Sequence, residues 1–234
     1  IDKAFTIAMS GKPGPVYLDL PGDLLYKSID ESTVVWPNSQ EDSFTGRSSG
    51  DPAGIDKTLE LLKKAKKPII IIGSGVLWSR ASSALTEFVD LTGIPFYSTP
   101  QGRGAIPEDH QYCYLNARTQ AFREADLFLV IGTRVNYVLN NLQTPRFNAE
   151  AKIVRIDVDP AEVASTPRLN VGLVGDARRV LEQLAQACKG HVKAEAFADW
   201  RKALSDSHAQ RSSKQESLLN SDQTPIHPLR LCKE

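Results

Sequence analysis

The stretch Pro68-Ile69-Ile70-Ile71-Ile72-Gly73-Ser74-Gly75 decides the fold of this chain. Its isoleucine run has no polar alternation, so we expect a strand buried on both faces, as in a parallel sheet covered by helices. Similar short apolar runs alternate with helical segments at residues 94–97, 127–131, 152–156 and 171–174. The alternation predicts an α/β fold: a doubly wound, Rossmann-like parallel sheet of about six strands with helices on both faces.

Composition excludes several classes of function. The 234 residues carry 28 basic and 28 acidic side chains, a formal net charge of zero, which argues against a nucleic-acid partner. No apolar run approaches the roughly 20 residues of a membrane span, so we expect no membrane partner. The three cysteines form no C-x-x-C pair, which argues against a disulfide framework or a cysteine zinc site. A reducing, cytoplasmic location follows from this cysteine usage.

Ligands of open parallel sheets bind at the carboxyl ends of strands, near helix N-termini. Gly73, Ser74 and Gly75 follow the first strand of this sheet, and two glycines there allow a diphosphate to approach the backbone. A simple tight turn between strand and helix explains the same residues, because Trp78 occupies the third position of a full G-x-G-x-x-G pattern. The sequence alone leaves both interpretations open.

Two acidic segments also follow strands. Asp157 is predicted to accept hydrogen bonds from ribose hydroxyls, whereas Asp159, directly before Pro160, is predicted to cap a helix. Asp176 is a candidate either for contacting a nucleotide or for capping the helix that begins at residue 177.

Arg118 and Arg134 are the candidate phosphate cations, because the planar guanidinium fork suits phosphate oxygens. Arg134 has the better position, directly after a strand. His110 and Cys113 have no further ligands at a metal-binding spacing, so we predict no metal site. The other histidines, residues 191, 208 and 227, are interpreted as surface or linker residues.

Five segments, taken in order, resemble the thiamine-diphosphate-dependent decarboxylase and lyase superfamily. Residues 11–21 (GKPGPVYLDLP) are similar to the last helix and strand of its pyrimidine-binding domain, and residues 67–75 (KPIIIIGSG) to the opening of its central domain. Residues 156–159 (IDVD) and 174–176 (VGD) resemble later landmarks of that central domain. Residues 224–228 (TPIHP) resemble the start of its diphosphate-binding domain.

The resemblance implies a central domain of the DHS-like, NAD/FAD-binding type within an enzyme that makes or cleaves carbon–carbon bonds next to a carbonyl. Residues 116–122 (NARTQAF), 132–137 (GTRVNY) and 145–147 (PRF) are similar to the oxalyl-CoA decarboxylase and 2-hydroxyacyl-CoA lyase branch, which binds ADP on this domain. The alternative is an acetolactate-synthase-like enzyme that holds FAD there. The substrate is accordingly an acyl-CoA or a 2-oxo acid.

The resemblance also assigns residues. Gly73, Ser74, Gly75, Arg118 and Arg134 would line the diphosphate, Asp157 would bind the ribose, and Val158 and Asp176 would frame the adenine. Gln101 and Arg103 resemble the loop on the CoA side, although an exposed loop arginine explains Arg103 equally well. Thiamine diphosphate and magnesium belong to the parent enzyme, because the family's catalytic glutamate and metal motif fall outside residues 1–234. We therefore expect no catalytic residue, no metal site and no activity in this chain by itself.

The domain organisation follows from the same landmarks. The expected parts are residues 1–27, the tail of the pyrimidine-binding domain; 28–50, a linker; 51–190, the central domain; 191–222, a helical linker; and 223–234, the start of the diphosphate-binding domain. The chain begins at Ile1 without a methionine and ends at Glu234 part-way through an expected helix, which suggests a piece of a larger protein. That larger protein is expected to be a homodimer or homotetramer. Two other classes remain as alternatives: a stand-alone ADP-binding module and an NAD-consuming deacylase.

Overall fold

The computed structural model describes residues 1–35 and 46–234. The chain divides into two compact units, Ile1–Arg47 and Ser48–Glu234. Within the described part of the first unit lie two helices, α1 (Asp2–Met9) and α2 (Gly22–Leu25), and a 3₁₀ turn at Glu31–Thr33. Residues 36–45, part of the predicted linker, lie outside the described residues.

The resemblance of residues 11–21 to a helix and strand implies a strand at residues 16–20, and this expectation is wrong. Residues 16–20 have no regular secondary structure, since a strand requires a hydrogen-bonded neighbour and none is paired with them in the described structure. A short apolar run does not by itself specify a partner strand.

The second unit holds the predicted α/β fold, built on five parallel strands where about six were expected. Its strands are β1 (Pro68–Ile72), β2 (Phe96–Ser98), β3 (Leu127–Ile131), β4 (Lys152–Asp157) and β5 (Val171–Val174). Its helices are α3 (Pro52–Lys64), α4 (Ser74–Trp78), α5 (Ser82–Thr92), α6 (Arg118–Glu124), α7 (Pro160–Ala164), α8 (Ala177–Cys188), α9 (Ala198–Leu219) and α10 (Pro228–Lys233). Short 3₁₀ segments occupy Pro100–Gly102, Leu115–Ala117, Tyr137–Leu142 and Ala194–Phe197.

The strand order is β2-β1-β3-β4-β5, and every pairing is parallel. This order places a topological switch point between β1 and β3, because the chain winds outward from β1 first in one direction and then in the other. Ligands of such sheets bind at the carboxyl edge beside this point.

Two apolar cores cover the sheet, as the isoleucine run predicts. Ile70 and Ile72 belong to the core formed with α3, α5 and α8, whereas Ile69 and Ile71 belong to the core formed with α6 and α9. All four side chains are at most 1% exposed. Successive residues of a strand point to opposite faces, so a strand buried on both faces must be apolar throughout.

Several helices begin or end at residues that favour helix termini. Asp51 caps α3 through Ala53 N–H at 3.1 Å, and Pro52 occupies its first turn. Gly93 ends α5 in the left-handed conformation, with φ of 66°. Pro228 is the first residue of α10.

The predicted linker at residues 191–222 supplies core side chains. Phe197, Trp200 and Leu204 are at most 3% exposed, and the Trp200 indole N–H donates to the Pro68 carbonyl oxygen at 3.2 Å. The first half of α9 therefore packs against the sheet. The predicted domain boundaries themselves stay a prediction.

Candidate nucleotide site at the carboxyl edge

The carboxyl ends of all five strands meet at one edge of the sheet, where backbone hydrogen bonds join each loop to its neighbour. In each bond, the backbone N–H of the residue that follows one strand donates to a carbonyl oxygen at the end of the neighbouring strand. The four are Thr99 N–H to Ile72 O (2.8 Å), Gly73 N–H to Ile131 O (2.9 Å), Gly132 N–H to Ile156 O (2.9 Å) and Gly175 N–H to Asp157 O (2.9 Å). The loops that carry the predicted ligands are thus held in one continuous row.

The glycine turn after β1 packs directly against the turn after β3. A Cβ atom on Gly73 would lie 2.2 Å from Thr133 Cβ, and one on Gly75 would lie 2.6 Å from Gly132 Cα. Gly75 N–H also donates to Gly132 O at 2.8 Å. Close packing of two backbone turns at the switch point therefore requires both glycines, and the predicted diphosphate contact of Ser74 and its neighbours stays a prediction.

Asp157 is fixed at the end of β4 by a residue that sequence reasoning missed. Its Oδ2 accepts from Arg155 Nη2 at 2.6 Å, and its Oδ1 accepts from Asp159 N–H at 3.1 Å. The Arg155 side chain is 0% exposed and the Asp157 side chain 11%. A charged residue inside an apolar strand, with an acid two positions later on the same face, is the signal that identifies such a pair.

The guanidinium of Arg155 lies within an acidic group of side chains. Its Nη2 is 3.9 Å from Glu162 Oε2, while Nε and Nη1 are buried with no hydrogen-bond partner in the described structure. Burial lowers the pKa of Arg155, and the carboxylates of Asp157, Glu162 and Asp159 oppose that shift. These charges hold Asp157 in one orientation, which suits a carboxylate expected to bind a ribose diol.

Arg134, the favoured phosphate cation, follows β3 and lies beside the same acidic group. Its Nε is 3.4 Å from Glu162 Oε1, and its side chain is 68% exposed. A carboxylate this close competes with phosphate for the guanidinium. Arg134 is therefore paired with Glu162, in the acidic group around Asp157, the predicted ribose-binding residue.

The two remaining acids both cap helices. Asp159 Oδ1 accepts from Ala161 N–H at 2.9 Å, which confirms its predicted capping of α7. Asp176 Oδ1 accepts from the N–H groups of Arg178 and Arg179 at 3.1 and 3.3 Å at the start of α8. The capping interpretation of Asp176 is thus realised, and its contact with an adenine, like that of half-buried Val158, stays a prediction.

The loop after β2 carries the predicted CoA-side residues, Gln101 and Arg103, and both are exposed. Arg103 pairs with Glu108 at 2.5 Å. A Cβ on Gly102 would lie 2.4 Å from the Ile72 carbonyl oxygen, so the loop passes very close to the end of β1. Both side chains therefore project from a loop that is anchored beside the glycine turn.

Arg118 is the first residue of α6, the crossover helix that returns the chain to β3, so it lies at the carboxyl edge. Asn116, two residues before Arg118, is held by hydrogen bonds to α9. Its N–H donates to His208 Nδ1 at 3.1 Å, its side-chain amide to Ser212 Oγ at 2.8 Å, and its carbonyl oxygen accepts from Arg211 Nη1 at 3.2 Å. His208, interpreted as a surface or linker residue, therefore helps to position the turn before Arg118.

Among the described residues, 1–35 and 46–234, no group of three or more His, Cys, Asp or Glu side chains is arranged to hold a metal ion. No helix among them is both long enough and apolar enough to cross a bilayer. His110 contacts Asp90 at 3.1 Å and accepts from Tyr112 N–H, so both ring nitrogens have protein partners.

Comparison with known proteins gives a consistent set of relatives. The family model for the thiamine pyrophosphate enzyme central domain matches residues 55–184. A 2-hydroxyacyl-CoA lyase from Oryza sativa subsp. japonica is 32% identical over 99% of this chain and 42% of its own length. The acetolactate synthase large subunit of Buchnera aphidicola is 32% identical over 85% of this chain and 36% of its own length.

The solved structures give the same fold. Benzoylformate decarboxylase from Polynucleobacter necessarius matches 82% of this chain and 35% of its own, with a TM-score of 0.61 and 23% identity. At that identity the likeness shows the fold alone. The chain spans about two fifths of the length of the curated relatives it matches.

Proposed function

The chain belongs to the thiamine pyrophosphate enzyme family through the central domain at residues 55–184, and from this premise we propose that it is the nucleotide-binding central part of a thiamine-diphosphate-dependent enzyme. The reaction of the whole protein makes or cleaves a carbon–carbon bond next to a carbonyl. The proposed substrate class is a 2-hydroxyacyl-CoA or an oxalyl-CoA, and the nucleotide on this domain is ADP.

The observation that carries the proposal is the convergence of the predicted ligands at one edge of the sheet. The glycine turn, Arg118, Arg134 and the oriented carboxylate of Asp157 all lie at the carboxyl ends of the strands or at the N-terminus of the helix returning to them. Arginines suit a diphosphate and a fixed carboxylate suits a ribose, so this donor and acceptor set fits a nucleoside diphosphate.

Thiamine diphosphate and magnesium are assigned to the whole protein. When bound, thiamine diphosphate supplies an electron sink for the carbanion formed at the substrate carbonyl carbon. The residues of this chain contribute differently, because they hold a nucleotide and fix the loops at the carboxyl edge. We therefore expect that calorimetric titration of residues 1–234 with thiamine diphosphate and magnesium detects no binding.

A second candidate function is acetolactate synthesis with FAD on this domain, and the similarity to the Buchnera aphidicola subunit favours it. Visible absorbance of the purified whole protein distinguishes the two, because FAD absorbs there and ADP does not. A stoichiometric flavin spectrum would contradict the ADP assignment. Cleavage of a 2-hydroxyacyl-CoA, compared with condensation of 2-oxo acids, tests the substrate class directly.

Calorimetric titration of the chain with ADP tests the nucleotide site itself. We expect binding by the wild type and a loss of about tenfold in affinity for Asp157→Asn, because a charge-assisted hydrogen bond to the ribose is weakened. Asp159→Asn is the matched control, since asparagine also caps helices well and should leave the affinity unchanged. Equal affinities for the wild type and Asp157→Asn would contradict the ribose assignment.

The alternative of a stand-alone ADP-binding module predicts the same binding but no carbon–carbon bond chemistry in the whole protein. Oligomeric state and cytoplasmic location stay predictions, and size-exclusion chromatography with light scattering measures the first.

A further inference from the structure

The second half of α9 is held by polar contacts, in contrast to the first half. The buried residues of this helix are Trp200 and Leu204, and both lie in its first half. The next residues at the same helical spacing are His208 and Ser212, which are polar and half-buried. The apolar stripe that fixes the first half on the sheet therefore continues as a polar stripe.

Asn116, in the 3₁₀ segment Leu115–Ala117, is the partner of this polar stripe. Its N–H donates to His208 Nδ1 at 3.1 Å, and its side-chain amide donates to Ser212 Oγ at 2.8 Å. Its carbonyl oxygen accepts from Arg211 Nη1 at 3.2 Å. We call these three hydrogen bonds the Asn116 latch. Just over one turn of α9 thus supplies every bond of the latch.

The bond to His208 forms only while the imidazole is neutral. A backbone N–H can only donate, so Nδ1 of His208 acts as the acceptor and carries no proton. In a protonated ring both nitrogens carry protons, and the Nδ1–H group would then face the Asn116 N–H, donor against donor. Histidine side chains gain their proton as the pH falls from about 8 to about 5. The bond is therefore present at neutral pH and lost in mild acid.

The groups that face His208 do not compensate for an added proton. Arg211, one turn later on α9, is itself a cation of the latch, and in the described part of the chain no carboxylate forms an ion pair with His208. The facing segment Leu115–Ala117 carries no titratable side chain. Of its flanking residues, Arg118 is a cation, and burial raises the pKa of Tyr114, so that this side chain stays neutral in the same pH range. Protonation of the imidazole thus adds a positive charge beside existing ones.

The other charged groups of α9 and of the elements packed on it lie away from His208. Asp206 pairs with exposed Lys202 at 3.1 Å, and residues two apart do not share a helix face. Glu216 lies two turns beyond His208, about 12 Å along the helix. Glu195, in the preceding 3₁₀ segment, lies before the first turn of α9. The charged side chains of α10, which contact the far end of α9, are Arg230, Lys233 and Glu234.

We propose that His208 makes the Asn116 latch sensitive to pH, so that protonation of its imidazole loosens residues 205–219, the second half of α9. Residues 198–204 stay in place, because Trp200 and Leu204 belong to the apolar core on that face of the sheet. Loosening also frees the turn at Asn116 and the path of the chain towards α10. The proposal goes beyond the proposed function and does not depend on a bound nucleotide.

Hydrogen–deuterium exchange of the chain, resolved by peptides, tests the latch. Protection factors correct for the intrinsic pH dependence of exchange, so values at about pH 7.5 and about pH 5.5 can be compared. For residues 205–219 of the wild type we expect about tenfold lower protection at the lower pH, the effect of one lost hydrogen bond. Residues 198–204 should keep their protection. Peptide resolution is needed because His110 and His227 also accept backbone N–H groups at Nδ1, in their own segments.

His208→Gln separates titration from structure. The glutamine oxygen is a neutral acceptor at every pH, so protection of residues 205–219 should be equal at the two pH values. Ser212→Ala is the matched control, since it removes one bond of the same latch without removing the group that titrates. Its protection should fall at both pH values, with the wild-type ratio between them. In Arg211→Met the latch should loosen at a higher pH, because a neighbouring positive charge no longer opposes protonation.

The outcomes decide the proposal. A loss of protection in acid that is absent from His208→Gln and retained in Ser212→Ala supports it. Equal wild-type protection at both pH values refutes it, as does a wild-type loss in acid that persists in His208→Gln. Residues 205–219 without protection at neutral pH refute the latch itself. If His208→Gln is unprotected at both pH values, Arg211→Met decides: loosening at a higher pH supports the proposal, and loosening at the wild-type pH refutes it.

Discussion

The buried ion pair between Arg155 and Asp157 should couple the two residues strongly in folding stability. The pair is 2.6 Å long, and its side chains are 0% and 11% exposed. A charge-assisted hydrogen bond shielded from water contributes more than an exposed ion pair, because neither solvent nor salt screens it. From these features we expect a coupling free energy of about 3 kcal/mol.

A double-mutant cycle measures this coupling. Arg155→Met keeps the length of the apolar stem, and Asp157→Asn keeps the Oδ1 acceptor for Asp159 N–H. The cost of burying Arg155 Nε and Nη1 without partners disappears equally in the single Arg155 variant and in the double variant, so it cancels. The cycle therefore isolates the pair itself.

Urea denaturation followed by tryptophan fluorescence and by circular dichroism gives the four free energies of unfolding. The chain contains three tryptophans, and coincident transitions by both probes establish two-state behaviour. Arg178 and Glu182 form the control pair, since they are 2.9 Å apart with side chains 48% and 37% exposed. That pair should couple by less than about 0.5 kcal/mol. A coupling of Arg155 to Asp157 no larger than that of the control would refute the reasoning.

Further predictions concern packing and pH. Gly75→Ala should lower the free energy of unfolding by at least about 2 kcal/mol, because its new Cβ would lie 2.6 Å from Gly132 Cα. Leu204→Ala should cost about 2–5 kcal/mol, since Leu204 is 0% exposed, whereas Leu218→Ala, at a 39% exposed position, should cost less than about 0.5 kcal/mol. Burial raises the pKa of Cys188 from 9.0 to about 12, so the folded state keeps a proton that the unfolded state loses. The free energy of unfolding of the reduced wild-type chain should therefore fall between pH 9 and 12. For Cys188→Ala the slope of this fall should be smaller by up to about 1.4 kcal/mol per pH unit.

Urea denaturation checks each of these expectations. A stable Gly75→Ala would show that the two turns at the switch point are not closely packed. Equal losses for the two leucine variants would mean that the first half of α9 does not belong to the core. Parallel pH profiles for the wild type and Cys188→Ala would contradict the protonated, buried thiol.

The local sequence was enough to predict most of the elements. Isoleucine and valine runs locate the strands, because a strand buried on both faces must be apolar throughout. Asp51 and Asp159 locate helix starts because their side chains cap unpaired N–H groups, and Pro228 does so because a proline has no N–H to leave unpaired in the first turn. The residues that follow strands could be predicted to share one edge, since all strands of a parallel sheet end there.

The sequence could not predict which side chains meet at that edge. Asp157, two positions after Arg155 on the same strand, could be identified as its partner from the spacing, but only the packing of α7 against β4 brings Glu162 to the same guanidinium. Residues 16–20 resemble a strand in sequence, but they pair with no other strand in the described structure.

By itself, then, the sequence determined the α/β class, the strands of the sheet and the family resemblance, all of which depend on residues close together along the chain. Only the tertiary structure decided that the turn at Gly75 packs against Gly132, that Arg134 pairs with Glu162, and that Arg146 lies over the ring of Phe122. Each of these contacts joins separate elements, and their geometry is set by how helices and strands pack. Local pattern specifies an element, whereas non-local packing brings its side chains to a partner.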